Sequence, residues 1–285
     1  MSDGRAVLAT GGTGQQGRTP PSPTRTDRKH VMSLIDRRMV ITGAGRDFGR
    51  ALAHHFAGLG AEVFLAARTL EAAERTRAEI LDRGHEKVHA FACDLTDPAA
   101  IRAFAKAVAQ CTDRVDVLVI NGARWLEGPD LLSASDEDVA DTLASGGTGT
   151  ILVTKNLLPL LLASDRPDVV TMVSICGVPG AHHPRAHEAY YAAKHAQRGF
   201  TEALSHRLRP QGVRVISLFP PDFDSSRDPL STEWSATPRG AHDPLAAQSV
   251  IDCISFAIQQ PRDCYINAFH FEAMSTSATA TSTSG

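Results

Sequence analysis

No apolar run in the 285-residue sequence approaches the roughly 18 residues of a membrane span, and its first residues lack the uninterrupted apolar stretch of a secretory signal. The address expected from this is the cytoplasm. Neither sign of charge dominates. A net charge of -3 and a pI near 6.4 leave no basic footprint for nucleic acid or for an anionic membrane, so the expected partners are small molecules. The five cysteines, Cys93, Cys111, Cys176, Cys253 and Cys264, form no CxxC pair and are odd in number, which points to neither a zinc site nor a full disulfide framework. What is present in quantity is core material. With 42% hydrophobic residues the chain can bury one large core as a single domain.

Two glycine-rich stretches stand out, "ATGGTGQQGR" at 9–18 and "ITGAGRDFGR" at 41–50. The first runs into "RTPPSPTRTDRKH", where Pro20, Pro21 and Pro23 remove backbone donors from the place where a phosphate-binding helix would begin. The second is followed by Leu52, Phe56 and Leu59 at helical spacing, a Gly60 stop and an apolar strand at 62–66. A phosphate loop needs that strand, turn and helix, because the helix N-terminus supplies unpaired N–H groups and the positive end of a dipole. The second stretch is therefore the expected cofactor loop, and the first an appendage.

Further strands are predicted at 88–92, 115–120, 168–174, 212–218 and 265–268, with helical patterns between them, including long ones at 138–162 and from His187 to about 209. Strands alternating with helices imply βαβ units and a parallel sheet covered on both faces, so the expected fold is a doubly wound α/β Rossmann sheet in a single domain. The domain is drawn at 38–272, between an extension at 1–37 and a low-complexity tail from 273. "MSLIDRRMVITGAG" from Met32 would by itself make a start for this fold.

Within "VVTMVSICGVPGAHHPRAHEAYYAAKHAQRGF", Tyr190 and Lys194 are four residues apart and share one helix face. With this constellation the sequence resembles the short-chain dehydrogenase/reductase family from about Met39 to Phe271. The family's TGxxxGxG loop is matched by Thr42, Gly43 and Gly49, with Asp47 in place of the middle glycine. "CDLTD" resembles the segment whose aspartate contacts adenine, assigned to Asp94 with Leu95 following. "INGA" keeps Asn121 of the family's NNAG and shifts the glycine to Gly122. The active-site serine corresponds to Ser174 and the YxxxK pair to Tyr190 and Lys194, and "FPPDFDSS" resembles the family's PG turn, with Pro220 kept and Pro221 replacing the glycine. The resemblance implies Ser174, Tyr190 and Lys194 as catalytic residues. It implies Gly43, Gly45, Arg46, Phe48, Gly49, Arg68, Asp94, Leu95, Asn121, Gly122, Tyr190, Lys194 and Pro220 as cofactor contacts. It also implies a homodimer or homotetramer paired through the long helices, and the first glycine stretch resembles the opening loop of NmrA-like relatives.

The chemistry can be stated from the residues. A carbonyl accepting hydride gathers negative charge on oxygen and needs a proton donor and a second hydrogen bond there. Tyr190 and Ser174 supply these, and a cation such as Lys194 favours the phenolate and lowers the tyrosine pKa. An acid at the end of the second strand would bind the ribose of NAD, but this chain has Ala67 followed by Arg68, with Arg46 in the loop, so NADP(H) is expected. The resulting expectation is an NADP(H)-dependent oxidoreductase acting on a carbonyl or alcohol substrate. A nucleotide-binding regulator with weak or no catalysis, and a lyase or isomerase on the same scaffold, stand beside it. Gly146 occupies the place of the family's helix asparagine that supports a proton path to the lysine, and Asp47 brings a carboxylate near the pyrophosphate; both favour the regulator. No metal is expected: His182, His183 and His187 lack supporting carboxylate or cysteine spacing. Trp125 is read as a substrate wall or a cover for the sheet edge, Tyr191 as packing, and Cys176 as a pocket-lining residue or, in preference, a buried structural thiol.

Overall fold

The computed structural model describes residues 33–224, 228–229, 231, 234, 240 and 243–272. The N-terminal glycine stretch, the tail and part of the loop at 221–243 lie outside the described residues, and so do the expectations attached to them.

The alternation read from the sequence becomes β1 (Arg38–Thr42), α1 (Asp47–Gly58), β2 (Glu62–Ala67), α2 (Leu70–Leu81), β3 (Val88–Ala92), α3 (Pro98–Cys111) and β4 (Val117–Ile120). There follow α4 (Asp136–Leu143), α5 (Gly149–Leu162), β5 (Asp168–Met172), α6 (Glu188–Leu208), β6 (Arg214–Phe219), the short pair β7 (Phe223–Asp224) and β8 (Leu245–Ala246), α7 (Ala247–Gln259) and β9 (Ala268–His270). Seven strands form one parallel sheet in the order β3-β2-β1-β4-β5-β6-β9. The order reverses between β1 and β4, and at such a switch point the carboxyl ends of the strands leave a crevice for a ligand. Because both faces are covered, the inner strands β1, β2, β4, β5 and β6 are buried almost throughout and do not alternate, whereas the edge strands β3 and β9 are only partly buried. One layer packs α1 and α7 through Leu52, Phe56, Ile251 and Ile254, and the other packs α3 and α5 through Ile101, Phe104, Val153 and Leu157. Leu34, which a domain boundary at 37 leaves outside, is buried in the first layer, and its N–H donates to Leu59 O at 2.8 Å.

Several elements depart from the sequence reading, and four of the departures have a clear local reason. The seventh strand holds only Ala268 of the predicted 265–268. The Tyr265 hydroxyl donates to Val215 O at 2.8 Å and accepts from Val215 N–H at 3.1 Å, so a side chain takes the main-chain positions that strand pairing would use. β6 starts at Arg214 because Gly212 is left-handed, with φ 78°. β5 ends before Ser174, whose φ of 81° breaks the extended run. The helix predicted at 138–162 is interrupted by a π turn over Ala144–Thr148, where Gly146 and Gly147 are too small to enforce regular helical packing.

Beneath the sheet, at the end away from the crevice, the fully buried Asp168 carboxylate accepts from Arg214 at 2.8 and 2.9 Å and from Arg262 at 2.7 Å, with Arg37 at 3.5 Å. A buried carboxylate needs such partners to remain ionised. These contacts tie β5, β6 and the approaches to β1 and β9 together.

Candidate active site

The crevice is a cleft of about 460 Å³. Thr42 stitches the ends of β1 and β4: its Oγ1 accepts from Asn121 N–H at 3.1 Å and from Gly122 N–H at 3.2 Å. The glycines are where side chains cannot be. A Cβ on Gly45 would lie 2.8 Å from the Ala72 Cβ, one on Gly122 would lie 2.5 Å from Leu95 Cδ1, and one on Gly49 would overlap the Gly43 carbonyl. Among the described residues no side chain caps the N-terminus of α1, which leaves its first-turn N–H groups available. A bare cradle of glycines at an uncapped helix N-terminus fits a dinucleotide pyrophosphate.

Gly43, Gly45, Arg46, Phe48, Gly49, Arg68, Asp94, Leu95, Asn121 and Gly122 all line this cleft. Asp47 lines it too, at a left-handed φ of 46° that aspartate tolerates better than most residues. It pairs with Arg46 at 3.5 Å, a solvent-exposed contact worth little energetically. The Asp94 carboxylate is engaged locally, accepting from Thr96 N–H at 2.9 Å and Thr96 Oγ1 at 2.8 Å. The sequence reading missed Arg75. It stands on α2 one turn beyond Ala72, so both face the cleft close to Arg68.

Ser174, Tyr190 and Lys194 converge at the carboxyl end of β5, and Pro220 reaches the same place from β6, its carbonyl accepting from Ile175 N–H at 3.0 Å. The α6 N-terminus is fixed by His187, a fully buried residue whose Nδ1 accepts from Ala189 N–H at 3.0 Å. Ser174 Oγ accepts from Cys176 N–H at 3.3 Å. Tyr190 is only 9% exposed, and burial pushes its phenol above the ordinary range, as does Cys176, while a hydrogen bond with Ser174 offsets part of the rise. Lys194 is 3% exposed, and burial brings its ammonium down to about 7. Its Nζ donates to Met172 O at 2.8 Å and to Gln197 Oε1 at 2.9 Å, and lies 5.3 Å from the Tyr190 ring centroid. In this geometry the expected lowering of the tyrosine by the lysine is absent, because burial weakens the charge of the one and blocks ionisation of the other.

Trp125 contacts both Tyr190 and His183 edge to face. His183 pairs with Asp222 at 2.9 Å, and Arg185 reaches the second Asp222 oxygen at 3.0 Å. Burial would raise that carboxylate, but the hydrogen bonds from His183 and Arg185 hold it below its ordinary value. His183 thus serves a latch between two loops and His187 a helix cap. Tyr191 does more than pack: its hydroxyl accepts from His183 N–H. Cys176 is fully buried, and burial raises its thiol.

The chain matches the family model described as "short chain dehydrogenase" over residues 37–235. It is similar to a protein named as ketoacyl reductase 1 of the granaticin polyketide synthase in Streptomyces violaceoruber, at 34% identity over 64% of this chain and 65% of that one. It is 31% identical to the mouse dehydrogenase/reductase SDR family member 7 over 68% of this chain and 57% of that one. The chain therefore spans less than two thirds of the length of these relatives. Sulfoacetaldehyde reductase from Chromohalobacter salexigens is 33% identical over 63% of this chain and 70% of that one. Among solved structures, a metagenomic short-chain oxidoreductase in complex with NADP superposes with a TM-score of 0.68 at 26% identity, covering 83% of this chain and 96% of the other.

Proposed function

This chain belongs to the short-chain dehydrogenase/reductase family, and from that premise we propose that it transfers hydride between NADP(H) and a carbonyl or alcohol substrate, with Tyr190 as acid/base. The observation that carries the reading is the meeting of Ser174 and Tyr190 above the buried ammonium of Lys194, beside a glycine cradle at the sheet's switch point. Bound in the cleft, the nicotinamide supplies or accepts the hydride. Tyr190, held protonated by burial, gives its proton to the developing alkoxide. Ser174 Oγ is already oriented by the Cys176 N–H and offers its own hydrogen to the same oxygen. In its protonated form, present below about pH 7, Lys194 places a positive charge beside the phenol as the proton leaves. The preference for NADP(H) is supported by Arg46, Arg68 and Arg75 lining the cleft while Ala67 stands where an acid would favour NAD; the metagenomic oxidoreductase with NADP is consistent with it. A ketoreductase type is supported by the similarity to the granaticin protein.

The test is NADPH oxidation against a panel of ketones and aldehydes, with Tyr190→Phe as the control. Turnover lost in Tyr190→Phe, with NADPH affinity kept within a few-fold, is the expected result. Equal turnover in the variant and the parent would remove Tyr190 from the reaction. The regulator reading is favoured by the cover that Trp125 places on Tyr190, and NADPH binding with no turnover across the panel would select it. A homodimer or homotetramer is part of the proposal. Leu143, Ile151 and Leu162 on α4 and α5 are exposed apolar side chains that a second copy would cover. A monomer in light scattering at micromolar concentration would contradict it.

A further inference from the structure

Among the described residues Lys194 has no carboxylate for a partner. One acceptor of its ammonium is a main-chain carbonyl, Met172 O, and the other is the side-chain amide of Gln197. Gln197 lies one turn further along α6 and is 0% exposed. Its other end is used as well: Nε2 donates to Thr150 Oγ1 on α5 at 2.8 Å. An amide with both ends engaged in a dry interior cannot rotate without leaving an unpaired donor or acceptor. Its orientation is therefore fixed, and with it the direction of the ammonium.

The helices are built to allow this contact. A Cβ on Gly146 would come 2.8 Å from the Ala193 Cβ, and one on Gly147 would come 3.5 Å from the Ala196 Cβ. Small residues on both sides let α5 approach α6 closely enough for Thr150 to reach Gln197. A larger residue at 146 would push the helices apart directly beside Lys194.

We propose that Gln197, anchored by Thr150, is the positioning residue that sets the direction and the charge of the Lys194 ammonium in the reaction proposed above, on which this inference rests. With two of its three N–H groups held by Met172 O and Gln197 Oε1, the tetrahedral ammonium has one direction left for the third. The neutral acceptor also matters. A carboxylate in its place would pin the lysine as a cation, whereas an amide supports the charge without fixing it, and burial leaves the group titrating near 7. The other titratable groups close to it among the described residues are Tyr190 on its own helix and the Cys176 thiol from the turn after β5, whose charge would favour the ammonium.

The test uses the full chain labelled with 13Cε-lysine. Lys194 is titrated by NMR, its signal being the one that Lys194→Met removes. Gln197→Leu is expected to lower the Lys194 midpoint by about one pH unit and Gln197→Glu to raise it by about as much. Thr150→Val, which frees the amide but keeps it, shifts the midpoint in the direction of Gln197→Leu and decides the matter if that variant does not fold. In steady-state assays Gln197→Leu is expected to lose roughly tenfold in kcat with KM within about twofold. An unmoved Lys194 midpoint in the variants overturns the inference whatever the activity. Midpoints that move as expected in a protein with no turnover would uphold the positioning of Lys194 and sink only the proposed function.

Discussion

Trp125 stands edge to face against Tyr190, ring centroids 4.7 Å apart and planes at 74°. The indole is itself 39% exposed, so it covers the phenol from the solvent side. Since burial is the largest cause of the raised Tyr190 value, the cover has a measurable consequence. Trp125→Ala is expected to lower the Tyr190 midpoint by about one unit or more, because it readmits water to the ring. Ultraviolet difference titration against Tyr190→Phe reads this directly. An unchanged midpoint would mean that the burial comes from elsewhere in the fold.

Arg68 and Arg75 both line the cleft, and under the proposed function they are expected to make separable contributions to cofactor choice. Replacing either by alanine is expected to weaken NADPH roughly ten- to hundredfold, the worth of a charge-assisted hydrogen bond to the extra phosphate, while leaving NADH within about twofold. Fluorescence titration with both cofactors checks it. An equal loss for both would assign these arginines to the shared part of the dinucleotide.

Which of these residues could be seen in the sequence follows from the kind of signal each leaves. The glycine cradle, Tyr190 and Lys194 are fixed by short-range spacing, and the parallel sheet by alternating apolar runs. Arg75 leaves no mark beyond its place on a helix, and it matters because α2 turns that face toward the cleft. Gln197 reads as one polar residue among several on α6; its burial depends on Thr150, 47 residues earlier. Tyr265 misled the strand assignment because an aromatic residue in an extended segment looks like a strand, whereas here its hydroxyl replaces the strand's backbone bonds. Contacts between side chains distant in sequence carry no period.

The lysine carries a stability signature of its own. Burial lowers Lys194 from 10.5 to about 7, so between those values the unfolded chain holds a proton that the folded chain has released. Stability then rises with pH through that window, and the full cost of the buried charge is felt below it. Lys194→Met is accordingly expected to stabilise the protein more at pH 6 than at pH 9, by a difference on the order of 3 kcal/mol. Urea denaturation at the two pH values measures the difference. A gain independent of pH would show that the lysine is not charged in the unfolded chain alone over this range.

Asp168 offers the opposite case, a buried charge that is fully answered. Asp168→Asn keeps the shape but strands the guanidinium groups of Arg214, Arg262 and Arg37 without their anion. A loss of about 3–5 kcal/mol is expected in chemical denaturation. The site lies at the far end of the sheet, so NADPH affinity in the folded variant should hold.

Ser174 presents its hydroxyl from a backbone at φ 81° and ψ 157°, a region that belongs almost wholly to glycine. Holding any other residue there costs about 1–3 kcal/mol. Thermal robustness and chemistry therefore pull on the same position in opposite directions. Ser174→Gly is expected to relax the chain and raise the melting temperature, yet it would delete the hydrogen-bond donor that the proposed reaction aims at the alkoxide. A mutant library sorted on heat resistance alone would accumulate that substitution and drift toward a sturdy, inert protein, so stability engineering of this fold has to be scored on turnover from the first round.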